Sequence, residues 1–510
     1  MSEAEPVVLD GENLTLEALA RVATGSPAIL DETARERMDE TARWYRLGEA
    51  PTVLREKWSQ LVGGEPPAGE EELIRRFVVG HCAGVGDPLP RDLVRAAMAA
   101  RANVLATATT AARSRCVDVL LAMLEADVVP VVPAQGSVGA AGDLAPLAHI
   151  LQVACGWGGQ AYKDGDQVPA AEAMAGLPRM EPDQKEALSL INGATVTAAM
   201  AAVACVRARR LMETAEAACA LSFEVNRADL GCLHELALGG RRHPGAIGVG
   251  ARLRDALAGS ELVGHGRKPD PFSLRCAPAV LGAAWDALLY VEEIVTRELN
   301  GACDNPLVFA SAQVIEAGNF HGAPVALAMD HLKVALTQVA SMSERRTFRM
   351  TYGQLSGLPS FLLQDTGLNS GLMLAQYTAA SLVSECKGLS FPASVDTIPT
   401  IQHHEDHVSM GPIAARGALE ILEALADVLA IELLCGAQGL DFHLSGKVVG
   451  PDRQVQEVPP RRGGAGTMAA YDKVRARVQR WVHDKAMYPD LKALGEAVRG
   501  GVFGLRVGPW

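Results

Sequence analysis

The sequence predicts a mainly α-helical protein with a long central helical bundle and a smaller N-terminal domain. Three observations carry this. Of 510 residues, 49% are hydrophobic but only 5% aromatic; the apolar content is mostly Ala, Leu and Val, which suits packed helices better than sheets. Long helical patterns run over roughly 186–228, 278–300, 321–350, 370–390 and 412–437. In the last of these, Leu422, Leu425, Leu429 and Leu433 form one stripe, and Ile421 and Val428 add another side. A helix apolar over most of its circumference is buried inside a bundle.

In chain order, Val7, Val8 and Leu9 read as a short strand, and Asn13 or Thr15 caps a helix over 16–22. A polar helix spans 32–47. The stretch 48–70 is irregular, with Gly63-Gly64 and Pro66-Pro67 marking a loop. A helix restarts over 71–80 and leads to His81, and 91–127 reads as helices. A polar excursion at 156–167 precedes a connector to Glu186. Pro412 suits the first position of its helix. The Pro-, Arg- and Gly-rich stretch 449–466 reads as a linker before a final helical region, 468–498. These breaks suggest an N-terminal domain over 1–190, a central bundle over 191–448 and a C-terminal segment over 449–510.

Composition excludes several classes. The net charge of −13 argues against a nucleic-acid surface and suits a cytoplasmic protein. No apolar run has membrane-spanning length, and no apolar segment precedes a cleavage site at the start of the chain. The ten cysteines lie far apart and form no C-x-x-C pair, so they read as buried reduced residues, not as disulfides or a zinc site. In His403-His404-Glu405-Asp406-His407, two histidines stand four apart, but Pro399 disturbs the backbone and no metal is expected.

The chain is organised around 136–149, G-S-V-G-A-A-G-D-L-A-P-L-A-H. Glycines at this density serve a tight turn or a close approach of the backbone to something else, and Asp143 is a good cap for the helix that follows. This stretch resembles the signature of the histidine and phenylalanine ammonia-lyase family. In that family an Ala-Ser-Gly tripeptide cyclises into an electrophilic methylidene-imidazolone group. Here the tripeptide is Ala140-Ala141-Gly142. Alanine has no hydroxyl to lose, so no such cofactor is expected.

The resemblance extends from about residue 8 to 500. Asn192-Gly193 matches an element whose asparagine contacts the prosthetic group. D-P-F-S-L-R-C at 270–276 matches one whose arginine, here Arg275, binds the substrate carboxylate; a planar fork of donors suits that task. D-N-P-L at 304–307 includes Asn305. Lys387 and E-D-H-V-S-M at 405–410 match further elements. His81 and Glu405 fall where histidine-specific members hold the imidazole ring.

Other positions depart from the pattern. The family's lid carries a tyrosine base, whereas 52–59 reads T-V-L-R-E-K-W-S. Phe272 replaces a tyrosine. Together with Ala141, these losses point to natural divergence more than to one engineered change. The resemblance therefore implies an ammonia-lyase-like fold and a homotetramer with shared sites. It also implies a carbon–nitrogen lyase acting on histidine or another amino-acid-like, imidazole-containing substrate without the prosthetic group. Catalysis would fall to Glu405, Lys387 and Asn192, and substrate binding to His81, Arg275, Asn305 and Phe272. The alternatives are another reaction in the same pocket (conjugate addition, cyclisation or condensation in specialised metabolism), an inactive pseudoenzyme, and a Ser-to-Ala variant of an active enzyme.

Overall fold

The structure is a computed structural model, which describes residues 5–47, 69–266, 268–310, 313–364, 367–449, 455–457 and 459–505. The lid segment at 52–59 lies outside the described residues. The fold is mostly helical, and the described strands form only two- and three-stranded sheets. No helix among the described residues is long and apolar enough to cross a membrane.

The chain divides into two compact units built from interleaved segments. One holds 1–206, 291–330 and 392–416; the other holds 207–290, 331–391 and 417–510.

In the first unit, strands β1 (Val7–Leu9) and β2 (Ala28–Leu30) pair in parallel. Thr15 caps α1 (Leu16–Ala23) by accepting from Ala18 N, and the polar α2 spans Glu32–Leu47. Next come α3 (Glu70–Gly80), β3 (Val85–Pro88), α4 (Arg91–Ala106) and α5 (Ser114–Glu125). The alanine-rich α4 is buried at every position from Leu93 to Ala106, because small side chains let neighbours approach from all sides. Strands β4 (Val129–Pro130) and β5 (Pro133–Gln135) precede α6 (Leu144–Cys155).

The polar excursion at 156–167 has regular structure. It forms a hairpin of β6 (Gln160–Lys163) and β7 (Asp166–Pro169), with β6 also pairing β4. The run 186–228 is not one helix. It is α7 (Gln184–Ile191) and α8 (Thr195–Val225), broken at Asn192-Gly193, where Asn192 is extended and Gly193 has φ +102°.

The second unit contains α9 (Glu235–Arg241) and α10 (Pro244–Ala256), which the sequence reading left unassigned. Along the chain the expected long helices follow as α11 (Ala277–Leu299), α12 (Ala323–Thr351), α13 (Met373–Leu389) and α14 (Gly411–Leu444), of which α11, α12 and α14 run through both sets of segments; in the first unit, between α11 and α12, β8 (Leu307–Phe309) pairs β9 (Gln313–Ile315). The α14 stripe is core: Leu422, Leu425, Leu429 and Leu433 are buried, as are Ile421 and Val428. The same core holds a buried ion pair, with Arg346 Nε 2.5 Å from Glu432 Oε1, and Ser222 Oγ donating to that oxygen. The expected linker carries an antiparallel pair, β10 (Lys447–Val449) with β11 (Val455–Glu457). The C-terminal region is two helices, α15 (Ala465–Arg475) and α16 (Tyr488–Arg499), not one run.

Candidate active site

The turn at 138–143 is clasped from two sides. On one side, Gly193 N donates to Ala141 O (3.0 Å) and Asp143 N donates to Gly193 O (2.9 Å), a parallel bridge between two glycines. A Cβ on Gly142 would fall inside the backbone of Gly193, so the close approach expected from the glycine density is to Gly193. On the other side, Met410 N donates to Val138 O (2.8 Å) and Ser409 Oγ to Gly139 O (2.9 Å). Ala140, Val408 and Met410 pack together beneath the turn, while Ala141 is half-buried. Helices α6, α8 and α14 all begin beside this turn, and their N-terminal dipoles favour negative charge there.

Asp143 stands at the N-cap of α6 as expected, but its side chain does not cap that helix. Its carboxylate turns to α8 and accepts from Thr197 N (2.7 Å) and Thr197 Oγ1 (2.9 Å). It thus supplies the acceptor that Ala194, just before α8, lacks. Burial pushes the Asp143 carboxyl up to about 6, against the lowering effect of these bonds. Between its ordinary value of 3.8 and that value, the unfolded chain has released the proton while the folded chain keeps it. Stability from this group is therefore lost as pH rises through that window. Asp143→Asn should flatten this part of the melting-temperature profile relative to the parent; parallel profiles would refute the assignment.

Asn192 is held by a buried network the sequence reading missed. Lys185, Ser189 and Asn192 stand at i, i+4 and i+7 across the end of α7, one face of the helix. That spacing was the available signal. Lys185 Nζ (2.8 Å) and Ser189 Oγ (2.7 Å) donate to Asp304 Oδ2, and Asn192 Nδ2 donates to Asp304 Oδ1 (3.2 Å) and Asn305 O (3.0 Å). Burial pushes Asp304 up, but Lys185 and Arg101 overcome this and hold it below the usual range. Arg101 is itself buried, donating to Cys303 O (3.1 Å) and to Ser189 O. Both neighbours of the Asn192 Nδ2 are pure acceptors, so its Oδ1 is turned away from Asp304 and Asn305. Asn305 spends its own amide on the 316–317 turn, donating to Glu316 Oε2 (2.8 Å) and accepting from Ala317 N (2.6 Å).

His81 ends α3. Its Nδ1–H donates to Phe77 O (2.6 Å), which leaves Nε2 as an acceptor, and its ring leans on Phe77 at 4.5 Å. Glu405 is half-buried, and Thr400 Oγ1 donates to its Oε2 (2.6 Å). Just before it, Ile401, Gln402 and His403 all have positive φ, so the histidine run is not α-helical. His407 instead stacks on His321, centroids 5.7 Å apart. Among the described residues, no group of three His, Cys, Asp or Glu side chains is placed to hold a metal ion. The structure therefore joins Asn192, the 140–142 turn and 408–410, while no hydrogen bond among the described residues ties His81 or Glu405 to that turn.

The remaining candidates lie in the second unit. Phe272 begins a single helical turn, Phe272–Arg275, and is 71% exposed. Arg275 and Lys387, the latter in the last turn of α13, are exposed and make no side-chain hydrogen bond or ion pair among the described residues.

A sequence profile described as aromatic amino acid lyase matches residues 65–476. The histidine ammonia-lyase of Caldanaerobacter subterraneus subsp. tengcongensis is 42% identical over 509 residues, covering 97% of each chain. Among solved structures, histidine ammonia-lyase from Trypanosoma cruzi superposes with a TM-score of 0.86 at 33% identity, over 98% of this chain and 94% of that one. Tyrosine aminomutase from Streptomyces globisporus superposes with a TM-score of 0.86 at 31% identity, over 98% of both.

Proposed function

Because the chain belongs to the aromatic amino acid lyase family, we propose that it is a carbon–nitrogen lyase for a histidine derivative that works without a methylidene-imidazolone group. The observation that carries this is Ala141 within a fully clasped turn. Cyclisation needs a serine hydroxyl as leaving group; Ala141 offers a methyl, so the residues present do not fit that group.

Elimination then has to proceed on a substrate whose amine leaves unaided. A primary amine is a poor leaving group, whereas a quaternary ammonium departs as a neutral amine. In the step proposed, a base takes the β-proton, its C–H electrons form the Cα–Cβ double bond, and the Cα–N pair leaves with the amine. Arg275 binds the carboxylate. The His81 Nε2 acceptor and the Glu405 carboxylate suit an imidazole N–H. Glu405 or Lys387 serves as base. The Asn192 carbonyl oxygen suits the positive end of the substrate.

Exposed apolar side chains on α12 (Leu327, Val334, Phe348) and α13 (Leu374, Tyr377) support assembly with further copies of the chain. The exposure of Phe272 and Arg275 accords with sites completed across such an interface, in a homotetramer.

Ergothioneine and histidine provide the test, with the conjugated acrylate followed by absorbance. Product from the trimethylated substrate alone is expected, and product from neither would sink the proposal. Ala141→Ser that gains a new absorbing group and releases ammonia from histidine would instead favour an inactivated conventional enzyme.

A further inference from the structure

Beyond this site, the end of α8 lies beside two guanidinium groups, Arg227 and Arg461, neither of which forms an ion pair among the described residues. Arg227 follows the helix in the left-handed region (φ +53°), and Gly266 N donates to its carbonyl oxygen at 2.6 Å. His443, near the end of α14, donates from Nε2 to Val225 O (3.1 Å), and Arg461 N donates to His443 O (3.5 Å). Residues 225–227, 443 and 461 are therefore tied together. Three polar atoms here are buried without a partner: Arg227 Nε, Arg461 Nη1 and Asn226 Oδ1.

The charge balance is unusual for this unit. Arg252, Arg346 and Arg475 meet Glu216, Glu432 and Asp441. Arg462, next to Arg461, meets Glu261. Arg227 has no such partner among the described residues. Burial and the repulsion of Arg461 both pull its pKa down. Burial, helped by both arginines, also pushes His443 down to about 4, so it adds no third charge at neutral pH. The nearest acids along the chain are engaged elsewhere, Glu224 with Gly464 N (2.6 Å) and Asp229 with Lys268. The C-terminal dipoles of α8 and α14 supply about half a negative charge each, and Glu261 attracts Arg461 as well as Arg462, so the charge left without a carboxylate is that of Arg227. Gly357 lies beside Arg227: an added Cβ there would stand 3.5 Å from Nη2, in ordinary contact.

We propose that Arg227, Arg461 and the Asn226 side chain form an oxyanion site that takes a phosphate or carboxylate group. Guanidinium forks match both groups, and the Asn226 carbonyl oxygen accepts a hydrogen bond from a phosphate hydroxyl or a bound water.

Titration of the full chain with inorganic phosphate and with citrate, at constant ionic strength in chloride, tests this by calorimetry and by melting temperature. Saturable binding is expected, weakened by about tenfold or more in Arg227→Gln and in Arg461→Gln. A preference for phosphate or for citrate assigns the source of the oxyanion. Without either anion, Arg461→Gln should melt close to the parent, because it removes both a repulsion from Arg227 and an attraction to Glu261. That result also certifies the variant as folded, and Arg461→Lys, which keeps the charge but loses the fork, should bind at intermediate strength. No saturable binding of either anion, or equal responses in parent and variants, would overturn the site.

Discussion

Lys185→Met is expected to lower the unfolding free energy by about 3–5 kcal/mol, the usual consequence of removing one partner of a buried ion pair. Lys185 and Asp304 are 2% and 0% exposed and lie 2.8 Å apart. Without the ammonium, burial drives the Asp304 carboxyl toward its protonated form, and a protonated oxygen is a weaker acceptor for Ser189 and Asn192. Denaturant unfolding of Lys185→Met, Asp304→Asn and the double variant measures the coupling. The double variant should cost clearly less than the sum of the singles. Simple additivity would show that the two side chains do not act as a pair. The same variants should weaken binding of the proposed substrate, because the Asp304 acceptor that orients the Asn192 amide is weakened or replaced.

Gly142→Ala is expected to cost about 2–5 kcal/mol, combining a strained left-handed backbone with a collision against Gly193. Gly176 supplies a matched control. Its φ is +80°, against +81° at Gly142, yet a Cβ there meets nothing within 4 Å. Gly176→Ala should therefore show the backbone strain alone, about 1–2 kcal/mol. Equal losses at the two positions would remove the case for the glycine–glycine bridge.

Much of this architecture was legible because it depends on local chemistry. The 32–47 helix, Thr15 as a cap and the apolar stripe from Leu422 to Leu433 follow from periodicity and capping alone. The density of glycine at 136–142 announced a backbone contact, although nothing local could name Gly193 as its partner. For the same reason 186–228 read as one helix: the break at Asn192-Gly193 is imposed by a strand-like bridge to a distant turn. Asp143 had the right residue type for a cap, but the helix it serves starts at Thr195. Lys185 escaped notice because a charged residue in a helix ordinarily faces water; only the position of Asp304 turns it inward. The resemblance alone singles out His81, Arg275, Lys387 and Glu405 as candidates, since composition and spacing mark none of them.

The clasp on the 138–143 turn bears on how this chain comes to its shape during synthesis. Its bonds span 54 residues from Asp143 to Thr197, 112 from Asn192 to Asp304 and 270 from Gly139 to Ser409. Each closure carries an entropy penalty that grows with the logarithm of loop length, and contacts of such separation form slowly. A nascent chain can fold α1 to α5 early, but the turn lacks its second jaw until residues 409–410 have left the ribosome. The region richest in family signature is thus among the last to become rigid. Premature termination before Ser409 would leave a largely helical fragment with an open, unguarded glycine loop.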